Sequence, residues 1–261
     1  MIKSAFCYAF GLDNLREKLL RLKREGNFDG VEFWHNVVWD VDKARLKDYL
    51  DEAGLACAQI CPYFEFTEGD AAWERSLELG REYIRISRAL GGPLIRVFTG
   101  HASDAEATPE QWQAAIRGLQ VLCDEAADDG GRFCLEIGHG LMFSSAGTLR
   151  LLEGVNRPNL GVNLQVCLPD EDPWYTLEQL GPHTIHMHAH NWPGRLGGTE
   201  ITWLDSGVLD YEAFLGKLLT YGFDGYVSVE HVDHHGKHDP WVTASVDGRY
   251  LARLKRKLNR A

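Results

Sequence analysis

Runs rich in β-branched and aromatic residues alternate with amphipathic helical stretches along the whole chain, one pair for roughly every 30 residues. This rhythm excludes most architectures, because strands separated by helices run parallel and each needs a crossover. Extended segments are expected near 4–10, 30–34, 56–60, 94–99, 132–137, 161–166, 184–190 and 226–231. Helical periodicity is expected over 12–25, where Leu15, Leu19 and Leu22 share a face, and over 44–53, 72–90, 109–128, 146–153, 174–180, 211–221 and 241–258. Pro109 suits a first helical turn, and Thr108 with Gln111 reads as a capping box. No proline- or serine-rich linker interrupts the series. One closed α/β domain over 1–261, a single (β/α)8 barrel, is the expected fold, with an open doubly wound sheet as the runner-up.

Composition narrows the partners. The 261 residues are 44% hydrophobic and 25% charged, enough apolar content for a large core. The formal net charge is −11, whereas phosphate backbones reward clustered Lys and Arg, so nucleic acid is not an expected partner. The basic run RLKRKLNR at 253–260 reads as the solvated end of a helix, where cations suit the helix dipole. No stretch reaches the ~18 apolar residues of a membrane span, and the first ten residues lack a signal-like apolar run, so a cytoplasmic protein is expected. Six cysteines (7, 57, 61, 123, 134 and 167) are scattered singly apart from the pair at 57 and 61, which suggests reduced, buried thiols.

Strand parity points to the site. In a barrel the outward face meets helices and should be apolar, while the other parity points into the lumen. Phe133, Leu135 and Ile137 oppose Cys134 and Glu136; Val162, Leu164 and Val166 oppose Asn163 and Gln165. Ile185, Met187 and Ala189 oppose His186, His188 and His190, and Val227 and Val229 oppose Ser228 and Glu230. A lumen is ordinarily filled with branched apolar side chains, so polar groups in four successive strands require pairing or an ion. Glu136, Gln165, His188 and Glu230 should converge at the C-terminal mouth. Two carboxylates, an imidazole and an amide oxygen suit a divalent cation, Mn²⁺ first, with Mg²⁺ and Co²⁺ as alternatives. A polar plug without an ion is the plainer reading of the same residues.

The segments FCLEIGHG (133–140), LGVNLQVCL (160–168), IHMHAHN (185–191) and GYVSVEH (225–231), with FDGVEFW at 28–34, together resemble the xylose isomerase-like TIM barrel superfamily of sugar isomerases and epimerases. The resemblance implies ligands Glu, Asp, His and Glu at the ends of strands five to eight, which fall on Glu136, Gln165, His188 and Glu230. Gln165 departs from that pattern, removing one negative charge and keeping one carbonyl donor. Leu168 stands where a histidine is usual.

The resemblance further implies proton removal beside a carbonyl through an enediolate, with Glu136 and Glu230 as the acid/base pair. For a sugar or keto-sugar substrate, Glu32 and Trp34 after strand two, His101 after strand four, His139 after strand five, and His190 and Arg195 after strand seven are the candidate contacts. Tyr8 and Tyr63 stand at the ends of strands one and three, and PGRLGG (193–198) offers a flexible loop. The histidines of EHVDHHGKH (230–238) match no tight ligand spacing. Alternative readings are elimination from a 3-keto-glycoside, an activity often carried out with a partner subunit, and a non-catalytic sugar-binding barrel with a degraded metal site. A homo-oligomer is compatible with each. An apurinic-site endonuclease would need more His and Asp ligands and a basic face.

Overall fold

Parallel pairing of eight strands in chain order leaves no edge if the last strand returns to the first, and the chain takes this solution. A computed structural model of the chain describes residues 1–166, 168, 171–198, 200–230 and 238–259. Strands β1 (Lys3–Cys7), β2 (Gly30–Trp34), β3 (Ala56–Cys61), β4 (Leu94–Val97), β5 (Phe133–Glu136), β6 (Leu160–Leu164), β7 (Thr184–Ala189) and β8 (Tyr226–Val229) close into a barrel in sequence order. Every neighbouring pair is parallel, β8 against β1 included. The architecture is therefore the closed (β/α)8 barrel, not the open sheet.

The outer layer consists of α1 (Leu15–Gly26), α2 (His35–Asp40), α3 (Lys43–Ala53), α4 (Asp70–Ala89), α5 (Pro109–Ala127), α6 (Ser145–Val155), α7 (Pro173–Leu180), α8 (Tyr211–Thr220) and α9 (Pro240–Leu258). Leu15, Leu19 and Leu22 form the buried stripe of α1. The capping box of α5 is present: Thr108 Oγ1 accepts from Gln111 N at 3.3 Å and Gln111 Oε1 accepts from Thr108 N at 3.0 Å. Helix α2 has no counterpart in the sequence reading, because its six residues are too short for a period and include two valines of modest helix propensity. Burial of Val37 and Val38 supplies what propensity does not.

The strands end earlier than their apolar runs suggested. β4 stops at Val97, β7 at Ala189 and β8 at Val229, so Phe98, His190 and Glu230 stand on the loops immediately above the sheet. Register shifts at Val31/Glu32 and at Val162/Asn163 interrupt two ladders beside lumen polar residues. The loops after β4 and β5 approach closely. Gly140 has φ +57°, and a Cβ there would lie 2.6 Å from the Gly100 carbonyl oxygen, so glycine is needed to bring these loops together.

Cys7, Cys57, Cys61, Cys123 and Cys134 are buried free thiols, and Cys167 lies outside the described residues. Among the described residues no helix is long and apolar enough to cross a membrane.

Candidate metal centre

Contacts between strands that are not neighbours can be made only across the lumen, and they identify its contents. Glu32 on β2 reaches His186 and His188 on β7, with Oε2 2.9 Å from His186 Nε2 and Oε1 2.8 Å from His188 Nε2. Gln59 on β3 accepts from the Cys134 thiol on β5 at 2.8 Å. Its Nε2 lies 3.4 Å from His188 Nε2. These groups form a closed polar layer in which Glu32, Gln59, Asn163, His186 and His188 are each at most 1% exposed. A layer this dry tolerates polar atoms only because most are paired.

The opposite face of the His188 ring looks toward the mouth. Its Nδ1 is 3.4 Å from Glu136 Oε1, 3.6 Å from Glu230 Oε2 and 2.8 Å from Gln165 Nε2. Gln165 Nε2 also lies 2.9 Å from Glu136 Oε1 and 3.4 Å from Glu230 Oε2. The donor atoms of Glu136, His188 and Glu230 all fall within 4.8 Å of one another, close enough for one ion. The strand ends thus bring together the four side chains singled out by parity, each reaching the mouth from the end of a different strand.

These residues fit a divalent cation on three counts. Two carboxylates and an imidazole are suitable donors. The far nitrogen of the imidazole is held by a carboxylate, the arrangement that orients histidine ligands in metal sites. Gln165 Oε1 is buried without a partner, so a half-turn of its amide would present a fourth donor, an oxygen, to the same space.

Arg96 is a buried charged neighbour of the cluster that the sequence reading did not single out. It lies in the lumen on β4, 1% exposed, and its Nη1 donates to Glu136 Oε2 at 2.8 Å. Nη2 faces the Pro62 carbonyl oxygen at 3.4 Å, and the guanidinium is covered by Phe98, Tyr63 and Trp34, whose ring centroids lie 4.2, 4.7 and 5.3 Å from Cζ. The alternation Leu94, Arg96, Phe98 against Ile95 and Val97 carries the signal: an arginine on the inward parity of a short apolar strand.

Charge follows from these contacts. Burial works against ionised Glu136, but Arg96 and His188 outweigh it and bring its carboxyl to about 2. Burial likewise opposes the charge on Glu32, and the two imidazoles hold that carboxyl well below its usual range. For His188, burial disfavours the imidazolium, while Glu32, Glu230 and Glu136 outweigh it and hold the ring well above the ordinary histidine range. A cation at Nδ1 would therefore have to displace a proton.

The remaining candidates are distributed around the mouth. Trp34 covers Arg96, and the His139 ring meets Phe98 edge-on at 4.9 Å and His101 at 5.9 Å. His190 Nδ1 is 3.5 Å from Glu230 Oε2, with the ring against Trp192. Arg195 is exposed on the loop after β7. Glu32 lies beneath His188, one layer below the mouth, and Tyr8 is buried with its hydroxyl on the Gly11 carbonyl oxygen at 3.0 Å. Of the histidines after Glu230, those at 231, 234 and 235 lie outside the described residues, while His238 Nε2 is 3.2 Å from the Ile201 carbonyl oxygen.

Comparison with known proteins agrees with the barrel fold. Among curated proteins, the chain is 22% identical to the 3-dehydroshikimate dehydratase of Bacillus anthracis over 183 residues, covering 66% of this chain and 65% of that one, just under two thirds of the relative's length. It is 24% identical to the L-ribulose 3-epimerase of Mesorhizobium japonicum over 228 residues, covering 82% of this chain and 74% of the relative. A solved structure of an L-ribulose 3-epimerase superposes with a TM-score of 0.82 at 21% identity, covering 100% of this chain and 96% of the other, which shows a shared fold. Residues 20–253 match the sequence profile of the xylose isomerase-like TIM barrel, and the chain belongs to that family.

Proposed function

We propose that the protein is a metal-dependent sugar isomerase or epimerase that moves a proton on a carbon next to a carbonyl, through an enediolate. The observation that carries this reading is the convergence of Glu136, His188 and Glu230 around one point, with the unpartnered Gln165 Oε1 beside it. Glu136, Gln165, His188 and Glu230 would hold the cation, Mn²⁺ in the first instance. When bound, it supplies positive charge against the developing oxyanion.

The chain's own residues supply the rest. Glu136 and Glu230 flank the His188 nitrogen from two sides and are the groups that exchange protons with the substrate carbon. Arg96 keeps Glu136 ionised and fixes one of its oxygens, leaving the other directed at the site. Trp34, His101, His139, His190 and Arg195, which follow or end strands at the C-terminal side of the barrel, are the candidates for hydroxyl contacts. Glu32 contributes from beneath, through His188.

The test is solvent-deuterium incorporation into L-ribulose and other ketoses, followed by NMR, on protein whose metal content has been measured. Mn²⁺-dependent exchange beside the carbonyl is expected, and Glu136→Gln and Glu230→Gln should each reduce it by about 10²- to 10⁴-fold. Mn²⁺-loaded protein that exchanges no faster than buffer, ion-free protein that exchanges as fast as the loaded form, or variants that keep full activity, would remove the reading.

Elimination from a keto substrate starts with the same proton removal, and the match to a dehydratase favours it as the second reading. Product NMR separates the two: an epimer retains every substituent, and elimination yields an alkene and a released group.

A further inference from the structure

Glu32 makes the most buried carboxylate contacts in the lumen, and the proton-transfer scheme does not use it directly. Both oxygens are occupied: Oε2 by His186 Nε2 at 2.9 Å, and Oε1 by His188 Nε2 at 2.8 Å with the Cys61 thiol at 3.5 Å. A carboxylate can only accept, so the nitrogens facing it carry hydrogen. For His186 this leaves Nδ1 as a bare nitrogen, which is buried and without a partner among the described residues.

The surroundings of His188 agree. Asn163 Nδ2 is 3.1 Å from His188 Nε2, while Asn163 Oδ1 is buried without a partner. Exchanging the two ends of that amide gives Nε2–H a second acceptor. The Cys7 thiol lies in the same cluster as Glu32 and His188.

We propose that Glu32, backed by His186, is a positioning residue that clamps the Nε2–H of His188 from below, so that the imidazole serves the mouth cluster of Glu136, Gln165 and Glu230 through Nδ1 alone. Glu32 thereby sets the ring orientation in either charge state of His188. Only the metal-affinity arm of the test rests on the cation-site reading.

Two measurements on the full-length chain decide the matter. In ¹⁵N-histidine-labelled protein without added metal, with His188 assigned by its loss in His188→Gln, long-range ¹H–¹⁵N correlation should show Nε2 protonated and its proton protected from exchange with water. Glu32→Gln is nearly isosteric, and circular dichroism and thermal melting establish that it folds. In it, that protection should be lost and Mn²⁺ affinity, read by electron paramagnetic resonance, should fall by about 10- to 100-fold. His186→Gln leaves the Glu32–His188 bond in place and should weaken Mn²⁺ by less than tenfold. An unprotonated Nε2 in the wild-type protein overturns the proposal, and this result needs no variant to fold. A folded Glu32→Gln with unchanged Mn²⁺ affinity also overturns it. So does a thiolate-to-Co²⁺ absorption band lost in Cys7→Ser, because it would put a metal on the Nε2 side. Wild-type protein that binds no Mn²⁺ but shows the protected Nε2–H removes the cation reading and leaves the clamp standing.

Discussion

Glu136 and Asp247 are both buried carboxyl groups, 6% and 2% exposed, yet they are displaced in opposite directions. At Asp247, on α9, burial dominates: Oδ1 accepts from the Leu204 N–H at 2.8 Å, which works the other way, and the carboxyl still rises to about 7. At Glu136 burial acts in the same sense, but Arg96 and His188 reverse it and bring the group to about 2. The difference teaches that depth alone would make a barrel-mouth carboxyl a neutral acid. A fixed internal cation is what makes Glu136 an anion ready to hold a metal or accept a proton.

The largest expected effect breaks this contrast at its source. Arg96→Met should cost about 3–5 kcal/mol in urea unfolding at pH 7, because it leaves Glu136 buried without its partner. The acid limb should change with it. A carboxyl depressed from 4.5 to about 2 contributes stability that is complete above pH 4.5 and is lost as pH falls toward 2, about 3 kcal/mol in all. In Arg96→Met that window should shift upward. A loss under about 1 kcal/mol with an unchanged acid limb would mean that Arg96 does not hold Glu136 in solution.

Asp247 should show the reverse sign. Its folded form keeps a proton that the unfolded chain releases near 3.8, so stability is greatest below that pH and declines as pH rises to about 7, by on the order of 4 kcal/mol. Asp247→Asn keeps the acceptor for Leu204 N–H and removes the ionisation. Its stability should be flat across that window and should exceed the wild type at pH 8. Thermal melts of both proteins from pH 4 to 8 test this, and parallel curves would contradict it.

How far the sequence revealed this arrangement depends on whether parity or register was needed. Parity alone separates Glu136, His188 and Glu230 from their apolar neighbours, because a strand presents alternate residues to opposite faces. It also marks Arg96 as inward. It cannot say that Arg96 meets Glu136, since that depends on the register that pairs Arg96 with Cys134 on the adjacent strand. Depth is hidden for the same reason. Glu32 and Trp34 share a parity, but strand tilt and the shift at Val31/Glu32 set Glu32 beneath His188 and leave Trp34 over Arg96. Helix α2 was illegible because tertiary burial, not local propensity, forms it.

Gln165→Asp sharpens the contrast by adding a third carboxylate to the side that Arg96 already neutralises. Gln165 Nε2 now donates to Glu136 Oε1 and Glu230 Oε2 as a neutral group beside His188 Nδ1. An aspartate in its place offers no hydrogen to the two carboxylates and faces them with like charge. Without metal the variant should therefore melt lower than the wild type. With Mn²⁺ the added charge becomes attractive, and affinity should rise by about tenfold, roughly 1.4 kcal/mol. The two melting curves should then change order when Mn²⁺ is added, since a ligand that binds the folded state stabilises it in proportion to its affinity. A variant that is less stable under both conditions, with Mn²⁺ affinity unchanged, would show that residue 165 does not face the cation. Glu136, His188 and Glu230 would then have to hold it without a contribution from β6.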